Sequence, residues 1–243
     1  MAHRGGSALA PENTLAAIRG AVALGVEAVE VDVQRTRDGH LVVHHDETLA
    51  RTAGVERAVD ELDLRELQAL DVGHWFASEF TGQRIPTLEE AAAALPAGVK
   101  LVADFKHGDE RWPGLSEQIA GFARALGPSR LAVMSIRHAL AARVAEAAPG
   151  VLALFTYRAP FASTGELRAL HDLPPGVGFG ASLRALSAGM LVVAREDDRT
   201  VYTFTPNTVA ELSVALTVGV DAVITDHPDL ALDLRRRLSH SAR

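Results

Sequence analysis

The hydrophobic and polar positions along the chain follow two alternating periods. Short apolar runs of the kind that form buried strands fall at Met1–Arg4, Ala28–Val33, Leu41–His45, Val99–Phe105, Leu131–Ser135, Val151–Thr156, Val177–Ala181, Thr200–Thr205 and Ala222–Thr225. Between them, apolar residues recur at helical spacing in Glu12–Leu24, Thr87–Ala94, Leu115–Leu126, His138–Ala148, Gly165–Leu170, Thr208–Leu216 and Pro228–Leu238. Strand–helix alternation predicts parallel strands with crossover helices, and about eight such units predict an α/β fold, a closed (β/α)8 TIM barrel.

An open, doubly wound sheet is the architectural alternative. It is less favoured because no glycine-rich dinucleotide fingerprint follows the first strand. No domain boundary, repeat or low-complexity linker interrupts the pattern, so residues 1–243 are expected to form one domain.

One stretch, at about residues 46–86, departs from the strand–helix alternation and is predicted to be an insertion after the early strands. It holds one helical piece near Leu62–Leu70 and an aromatic cluster of Trp75, Phe76 and Phe80. Connections this long in a compact domain are usually lids or binding loops. The aromatics therefore either help to form a substrate pocket or pack against one another as the insertion's own core.

Composition and charge exclude several kinds of site and partner. The 243 residues carry a formal net charge of -7 and no cysteine, so thiolate metal sites, disulfides and a thiol nucleophile are excluded. A metal would need oxygen or imidazole ligands, which favours Mg²⁺, Ca²⁺ or Mn²⁺. Acidity argues against a nucleic-acid partner. No apolar run reaches the ~20 residues of a membrane helix, and no signal peptide follows Met1, so a cytoplasmic protein is expected.

The most informative stretch is the predicted hairpin that begins at Val29. Glu30 and Asp32 share one face of a strand, and the valines between them share the other. Neighbouring carboxylates repel each other unless a cation or a shared proton lies between them. Asp38-Gly39 is a strong turn signal, and counting back along the second strand places His45 roughly opposite Asp32.

Further polar residues lie at other predicted strand ends, where barrels place their catalytic groups. Asp104 and Lys106 repeat the spacing of two, and His3 and Arg4 end the first strand. Three converging carboxylates predict a Mg²⁺ or Ca²⁺ site, and the two basic groups suit a phosphate. His3 and His45 then supply a general acid and a general base.

Each feature alone has an ordinary structural explanation. A strand-end histidine is often only hydrogen-bonded, Glu-x-Asp is often ion-paired, and Asp-x-Lys is often a simple salt bridge. Their joint occurrence at strand ends favours a site. His44 competes with His45, and strand alternation favours His45. No comparable group of strand-end polar residues accompanies six further histidines, which are His74, His107, His138, His171, His227 and His240.

A series of motifs follows in order along nearly the whole chain: His3-Arg4-Gly5, Pro11-Glu12-Asn13-Thr14, Glu30-Val31-Asp32-Val33, Asp38-Gly39, Val42-Val43-His44-His45-Asp46, Arg51-Thr52, Ile85-Pro86-Thr87-Leu88-Glu89-Glu90 and Gly219 to Asp226 with Pro228. In this combination they resemble one known family, the glycerophosphodiester phosphodiesterases. The resemblance implies a (β/α)8 barrel that hydrolyses a glycerophosphodiester to glycerol 3-phosphate and an alcohol.

The resemblance also implies roles for individual residues. Glu30, Asp32 and Asp104 match ligands of one divalent cation, Mg²⁺ or Ca²⁺. His3 and His45 match the acid–base pair, and Arg4 and Lys106 match phosphate contacts. In the mechanism that it implies, a glycerol hydroxyl of the substrate attacks phosphorus and water then opens the cyclic phosphate.

The chain departs from the family pattern in three places. Asp104 stands where a Glu is usual. Phe204-Thr205-Pro206-Asn207 replaces a Trp-Thr-Val-Asn-like strand end, with Phe204 still able to provide an apolar wall of the substrate pocket. The first strand is short, which predicts either a weak barrel seam or a native start upstream.

Two other functions stay open. One is a lysophospholipase D-like or other phosphodiesterase activity, with Trp75 and Phe76 lining the leaving-group pocket. The other is a non-catalytic barrel that binds a phosphate ligand, which the Asp104 change alone would favour. The sequence carries no signal for an oligomeric state.

Overall fold

A computed structural model describes residues 1–241 and shows a TIM-barrel-like α/β fold. The strands are β1 (Ala28–Arg35), β2 (Leu41–Val43), β3 (Thr48–Leu49), β4 (Val55–Ala58), β5 (Lys100–Phe105), β6 (Leu131–Ser135), β7 (Leu152–Tyr157), β8 (Val177–Ser182), β9 (Val201–Phe204) and β10 (Ala222–Ile224). Eight of them form one curled sheet in the order β2-β1-β5-β6-β7-β8-β9-β10. All pairings in it are parallel except that of β1 with β2.

The curled sheet closes through Ala2, which forms parallel bridges to Val29 on one side and Thr225 on the other. A strand over Met1–Arg4 is therefore wrong in extent, since only Ala2 pairs and His3–Gly5 is a 3-10 turn. The chain bends because Arg4 and Gly5 have positive φ values of 50° and 83°. A Cβ on Gly5 would lie 2.8 Å from Ala17 Cβ, so only glycine fits there.

Most helices cover the outside of the sheet, and two short ones belong to residues 46–86. They are α1 (Leu15–Leu24), α2 (Ala50–Ala53), α3 (Leu64–Gln68), α4 (Leu88–Ala93), α5 (Leu115–Leu126), α6 (His138–Ala147), α7 (Thr164–Arg168), α8 (Ala188–Glu196), α9 (Val209–Thr217) and α10 (Pro228–Ser241). Side-chain oxygens of Thr14, Thr87 and Thr208 accept hydrogen bonds from the first turns of α1, α4 and α9. Such N-caps stabilise a helix by ~1 kcal/mol each and fix where it begins.

Helix α8 is the barrel element that the sequence pattern does not predict. Ser187 caps it by accepting a hydrogen bond from the backbone N–H of Met190. Gly189 weakens the local helix signal, because glycine costs about 1 kcal/mol in a helix. A Cβ there would lie 2.8 Å from Leu167 Cδ1, so the glycine serves the close packing of α8 on α7.

The hairpin of β1 and β2 forms with a shorter second strand than predicted. Val33 pairs with Val43, and the backbone N–H of His44 donates to the Asp32 carbonyl at 3.0 Å. The residue opposite Asp32 is thus His44, one position from the prediction. His45 lies past the end of β2, where Gln34 donates to its carbonyl at 3.3 Å.

Residues 46–86 form a small unit beside the sheet. They contain the antiparallel pair β3 and β4, the short helices α2 and α3, and a 3-10 turn at Ser78–Phe80. An apolar cluster ties this unit to β2; its buried members are Val42, Leu49, Val59, Leu62, Leu67, Val72 and Ile85.

The two faces of the strands bury different groups. Val29, Val31 and Val33 lie in the large apolar cluster under the helices. Ala28, Val102 and Met134 belong to a separate cluster inside the barrel. Glu30 and Asp32 alternate with the valines, so they point into the barrel above Ala28. Within residues 1–241, no helix combines the length and apolar character needed to cross a membrane.

Candidate active site

A cavity of about 340 Å³ opens at the carboxyl ends of the parallel strands. It is lined by His3, Arg4, Glu30, Asp32, His45, Asp104, Lys106, Met134, Thr156, Arg158, Ser182, Arg184, Phe204, Thr205 and Ile224. The fold therefore brings together the residues predicted as metal ligands, acid–base groups and phosphate contacts.

A larger cavity, of about 590 Å³, lies at the other end of the barrel between α9, α10 and Met1. Over the described residues, the three-carboxylate group at the mouth is the metal-type cluster found, and this second cavity holds none. The candidate metal site of the described residues thus lies at the smaller cavity.

The acidic cluster consists of Glu30, Asp32 and Asp104. Asp32 and Asp104 are directly paired in the register of β1 and β5, and Glu30 precedes Asp32 by two positions. One carboxylate oxygen from each lies within 4.8 Å of the others, and all three residues are buried. Hard divalent cations such as Mg²⁺ and Ca²⁺ prefer oxygen ligands of this kind, so this donor set can hold one.

Two basic groups offset the negative charge of the cluster, and one amide donates a hydrogen bond to it. Lys106 Nζ lies 2.5 Å from Asp32 Oδ1 and 2.6 Å from Asp104 Oδ2. Arg4 Nε lies 3.2 Å from Asp32 Oδ2 and forms an ion pair with it, but not a hydrogen bond. Asn13 donates from Nδ2 to Asp32 Oδ2 at 2.9 Å. Asp32 is therefore the best compensated of the three acids.

The carboxylates differ accordingly in pKa. Burial and the charge of Asp32 raise the pKa of Glu30 to about 7. Burial also acts to raise the pKa of Asp32, but Lys106 and Arg4 outweigh it and hold that pKa below its usual range. Burial acts to lower the pKa of Lys106, but Asp32 and Asp104 outweigh it and raise that pKa. A carboxyl with a pKa near neutrality signals negative charge that lacks a counter-charge, which a bound cation would supply.

His3 is held in place by Asp226, which lies just after β10. Its Nδ1 lies 2.5 Å from Asp226 Oδ1, and Ser7 and Asn207 also donate to that carboxylate. Because an ionised carboxylate only accepts hydrogen bonds, Nδ1 carries the proton and Nε2 faces the cavity, 3.8 Å from Glu30 Oε2. Burial acts to lower the pKa of His3, but Glu30 and Asp226 outweigh it and raise that pKa.

His45 has a similar arrangement on the other side. Its Nδ1 lies 2.6 Å from Asp46 Oδ1, and Arg51 donates from Nε to Asp46 Oδ2 at 2.7 Å. Arg51 also donates to both oxygens of Glu12, which accepts a third hydrogen bond from Arg4. Burial acts to raise the pKa of Asp46, but Arg51 and His45 lower it to about 2. A continuous chain of charges thus links His45 to Arg4.

His44 faces away from this cavity. It is buried, its Nε2 lies 3.2 Å from the Thr48 carbonyl, and burial lowers its pKa. Its neighbour His45 lines the cavity from beyond Val43, the last residue of β2, where strand alternation no longer sets the direction of a side chain.

The far half of the cavity is built by the ends of β7, β8 and β9. Phe204 lines it as an apolar side chain, while Thr156, Arg158, Ser182 and Arg184 are polar groups that the sequence argument did not single out. Thr156 is buried, and its hydroxyl has no hydrogen-bond partner among the described residues 1–241. The rule that strand ends carry function would have found these residues if applied to the later strands.

Trp75 and Phe76 do not line the cavity. They form an edge-to-face stack with Phe80, outside the insertion's buried apolar cluster. Trp75 is 40% exposed and its ring lies 5.4 Å from the guanidinium carbon of Arg51. Its link to the cavity therefore runs through Arg51 and Asp46.

Sequence motifs also contain two site residues to which the sequence alone gave no role. Asn13 has a φ of 60° and bonds Asp32 through both its side-chain atoms, donating from Nδ2 and accepting the Asp32 N–H. Asp226 orients His3. Both lie in the quoted motifs, so the motifs were the available signal, but only the fold shows which atoms meet.

Comparison with known proteins gives a consistent picture. The model of the glycerophosphoryl diester phosphodiesterase family matches residues 3–230. A protein from Caldanaerobacter subterraneus subsp. tengcongensis, named glycerophosphodiester phosphodiesterase, is 32% identical over 98% of this chain and 97% of its own length.

Solved structures resemble the fold as a whole. An Oleispira antarctica phosphodiesterase in complex with the product sn-glycerol 3-phosphate matches with a TM-score of 0.78 and 29% identity, over 97% of this chain and 95% of the other. A Silicibacter pomeroyi crystal structure matches with a TM-score of 0.83 over 98% and 92% of the two chains. At 23% identity the latter supports the fold alone.

Proposed function

Since the chain belongs to the glycerophosphoryl diester phosphodiesterase family, we propose that it hydrolyses a glycerophosphodiester to glycerol 3-phosphate and an alcohol. The observation that carries this proposal is the placement of two histidines beside one buried cluster of three carboxylates and two basic groups. A phosphodiester has one negative charge and two ester oxygens, and such a site can bind the charge and exchange protons with both oxygens.

Glu30, Asp32 and Asp104 would hold the divalent cation, Mg²⁺ or Ca²⁺. When bound, it would supply a positive charge that polarises the phosphoryl group and stabilises the negative charge of the transition state. The raised pKa of Glu30 supports this assignment, because that carboxyl lacks the counter-charge that Lys106 and Arg4 give to Asp32.

Arg4 and Lys106 would contact the phosphate. Both line the cavity, and both are held by carboxylates that fix their positions before substrate arrives. Pre-positioned charge of this kind stabilises a transition state without reorganisation at the moment of reaction.

His3 and His45 would act as the acid–base pair. Each is oriented by a carboxylate at Nδ1, so Nε2 of each ring is the atom that exchanges protons with substrate. One histidine takes the proton of the glycerol hydroxyl as its oxygen bonds to phosphorus. The other gives a proton to the alcohol oxygen as its bond to phosphorus breaks, and water then opens the cyclic phosphate.

The alternatives from the sequence have less support. Activity on a lysophospholipid would require Trp75 and Phe76 to line the leaving-group pocket, and both lie outside the cavity lining. Of the three aromatic residues predicted for the pocket, Phe204 alone lines the cavity. A non-catalytic barrel rests on Asp104, yet Asp104 stands in the acidic cluster with its partners. The cytoplasmic location and the absence of a nucleic-acid partner stay predictions.

A direct assay tests the proposal. The protein is incubated with glycerophosphoglycerol and glycerophosphocholine, with and without EDTA, and glycerol 3-phosphate is measured enzymatically. We expect release with Mg²⁺ or Ca²⁺ that EDTA abolishes and that the His45→Ala variant reduces strongly. Binding without release from any diester or cation would favour the non-catalytic barrel.

A further inference from the structure

Two arginines project into the cavity from neighbouring strand ends. Thr156 and Arg158 are two positions apart and share the cavity face of β7, whereas Tyr157 between them packs outward against Phe179, with ring centroids 6.1 Å apart. Ser182 at the end of β8 donates from its hydroxyl to the Arg158 carbonyl at 3.1 Å. This bond fixes the backbone from which the Arg158 side chain extends.

No carboxylate of residues 1–241 forms an ion pair with the side chain of Arg158. Arg4 and Arg51, near the two histidines, are both ion-paired with carboxylates. Among the ion pairs of residues 1–241, none involves Arg158 or Arg184. The backbone N–H groups of Asn207 and Thr208 lower the pKa of Glu211, and Arg184 contributes a smaller effect, so Arg184 is partly compensated. The guanidinium of Arg158 thus remains available for an anionic ligand.

The charges of the cavity are divided between its two halves. Its acidic lining residues are Glu30, Asp32 and Asp104, all on β1 and β5. The half built from β7, β8 and β9 contributes arginines, hydroxyls and Phe204 and contains no lining carboxylate. An anion bound in this half would meet no like charge from the lining.

The proposed reaction determines which part of the substrate reaches this half. The reacting phosphate must contact Lys106, Arg4 and a histidine, which lie around β1 and β5. The attacking hydroxyl belongs to the glycerol and closes a small ring on phosphorus, so the glycerol stays close to the same groups. In-line displacement puts the leaving alcohol on the side of phosphorus opposite the attacking oxygen, so an alcohol directed out of the β1–β5 half would extend toward β7 and β8.

We propose that the β7–β8 half is a subsite for a leaving alcohol that carries its own phosphate group, with Arg158 as the residue that selects it. The inference rests on the proposed function and names its substrate class. The planar guanidinium offers two parallel N–H donors to a phosphate, and the unpartnered Thr156 hydroxyl offers another. A cationic alcohol such as choline meets unfavourable charge at the same place.

The experiment compares two substrates that differ by one phosphoglycerol group, glycerophosphoglycerol and bis(glycerophospho)glycerol. Initial rates of glycerol 3-phosphate release give kcat and KM for each. We expect the ratio of kcat/KM to favour the second substrate, and Arg158→Gln to lower this ratio about tenfold, mainly through KM. Arg168→Gln removes the same charge from the exposed surface of α7 and is expected to leave the ratio as it is.

Calorimetric titration of the same two diesters into the His45→Ala variant measures binding without rapid turnover. The second diester should bind more tightly, and adding Arg158→Gln should remove the difference. The subsite is overturned if Arg158→Gln changes kcat/KM for neither diester. It is also overturned if kcat/KM falls by the same factor for both, because that result assigns Arg158 to the reacting phosphate. If the protein hydrolyses neither diester, the proposed function fails, and the titration still decides whether the subsite exists.

Discussion

Nδ1 of His3 lies 2.5 Å from Oδ1 of Asp226, although 223 positions separate the two residues. The bond exists because Ala2 pairs with both Val29 and Thr225, which brings the first and last strand positions together. The carboxylate fixes the ring orientation and keeps the Nδ1 proton in place, so that the opposite nitrogen faces the cavity.

Replacing Asp226 should therefore impair catalysis without removing a catalytic group. We expect Asp226→Asn to lower kcat by roughly ten- to a hundredfold. This is the usual range when a residue that orients an active-site side chain through a hydrogen bond is replaced. Steady-state kinetics on glycerophosphoglycerol measures this effect. Asp229→Asn, at an exposed position on α10, is the matched control. Equal activity of the two variants would mean that Asp226 does not orient His3 during the reaction.

Asp226 should also make stability depend on pH. Burial acts to raise its pKa, but the hydrogen bond from His3 and the charge of that ring outweigh it, so the folded pKa is lowered. A lowered folded pKa stabilises the protein above the unfolded value of about 3.9, and this contribution is lost as pH falls through the folded value. The difference in unfolding free energy between wild type and Asp226→Asn should shrink from about pH 6 to about pH 3, as measured by urea denaturation. A difference that grows toward acid pH would contradict the assignment.

The two histidines should be separately required. We expect His3→Ala and His45→Ala each to lower kcat by ~10²-fold or more, the usual contribution of a positioned acid or base. Circular dichroism should show an intact fold, and His40→Ala, which removes an exposed imidazole from the hairpin, should behave like wild type. A loss below about threefold for either variant would remove that histidine from the mechanism.

Cation binding should be visible as thermal stabilisation. At about a hundred times Kd, Mg²⁺ or Ca²⁺ should raise the Tm by roughly 5 to 10 °C for a chain of this size. Glu30→Gln should abolish the shift while keeping the fold, because the amide has the shape of the carboxyl and its oxygen can still accept the hydrogen bond from the Arg4 backbone N–H. Glu117→Gln, on the exposed surface of α5, should keep the full shift. The same shift in both variants would place the cation elsewhere.

Asp104 tests how closely the site fits its ion. Glutamate is longer by one methylene, about 1.5 Å, and reaches further into the cluster. We expect Asp104→Glu to keep or tighten cation binding in calorimetric titration, and Asp104→Asn to weaken it by roughly tenfold or more. If Asp104→Asn binds the cation as tightly as the wild-type protein does, a direct ligand role for position 104 is excluded.

The amino-acid pattern was sufficient for the outline of the fold. Alternation places Val29, Val31 and Val33 under the helices and Glu30 and Asp32 inside the barrel, because side chains of a strand point to opposite faces. The predicted strands after the first, and the predicted helices, recur in the structure because apolar periodicity records which face is buried. The strand ends also carried the seven charged and imidazole groups that now line one cavity.

Tertiary structure decided what local pattern cannot record. The closing of the barrel by Ala2 alone, the position of His44 opposite Asp32 and the helix α8 all depend on packing between distant segments. The same holds for Asp226 on His3 and for Arg158 without an ion-pair partner, since both facts concern distances between residues far apart in sequence. A sequence determines which residues carry charge and which face each strand buries. Only the folded chain determines which charges are satisfied by the protein and which are left for a ligand.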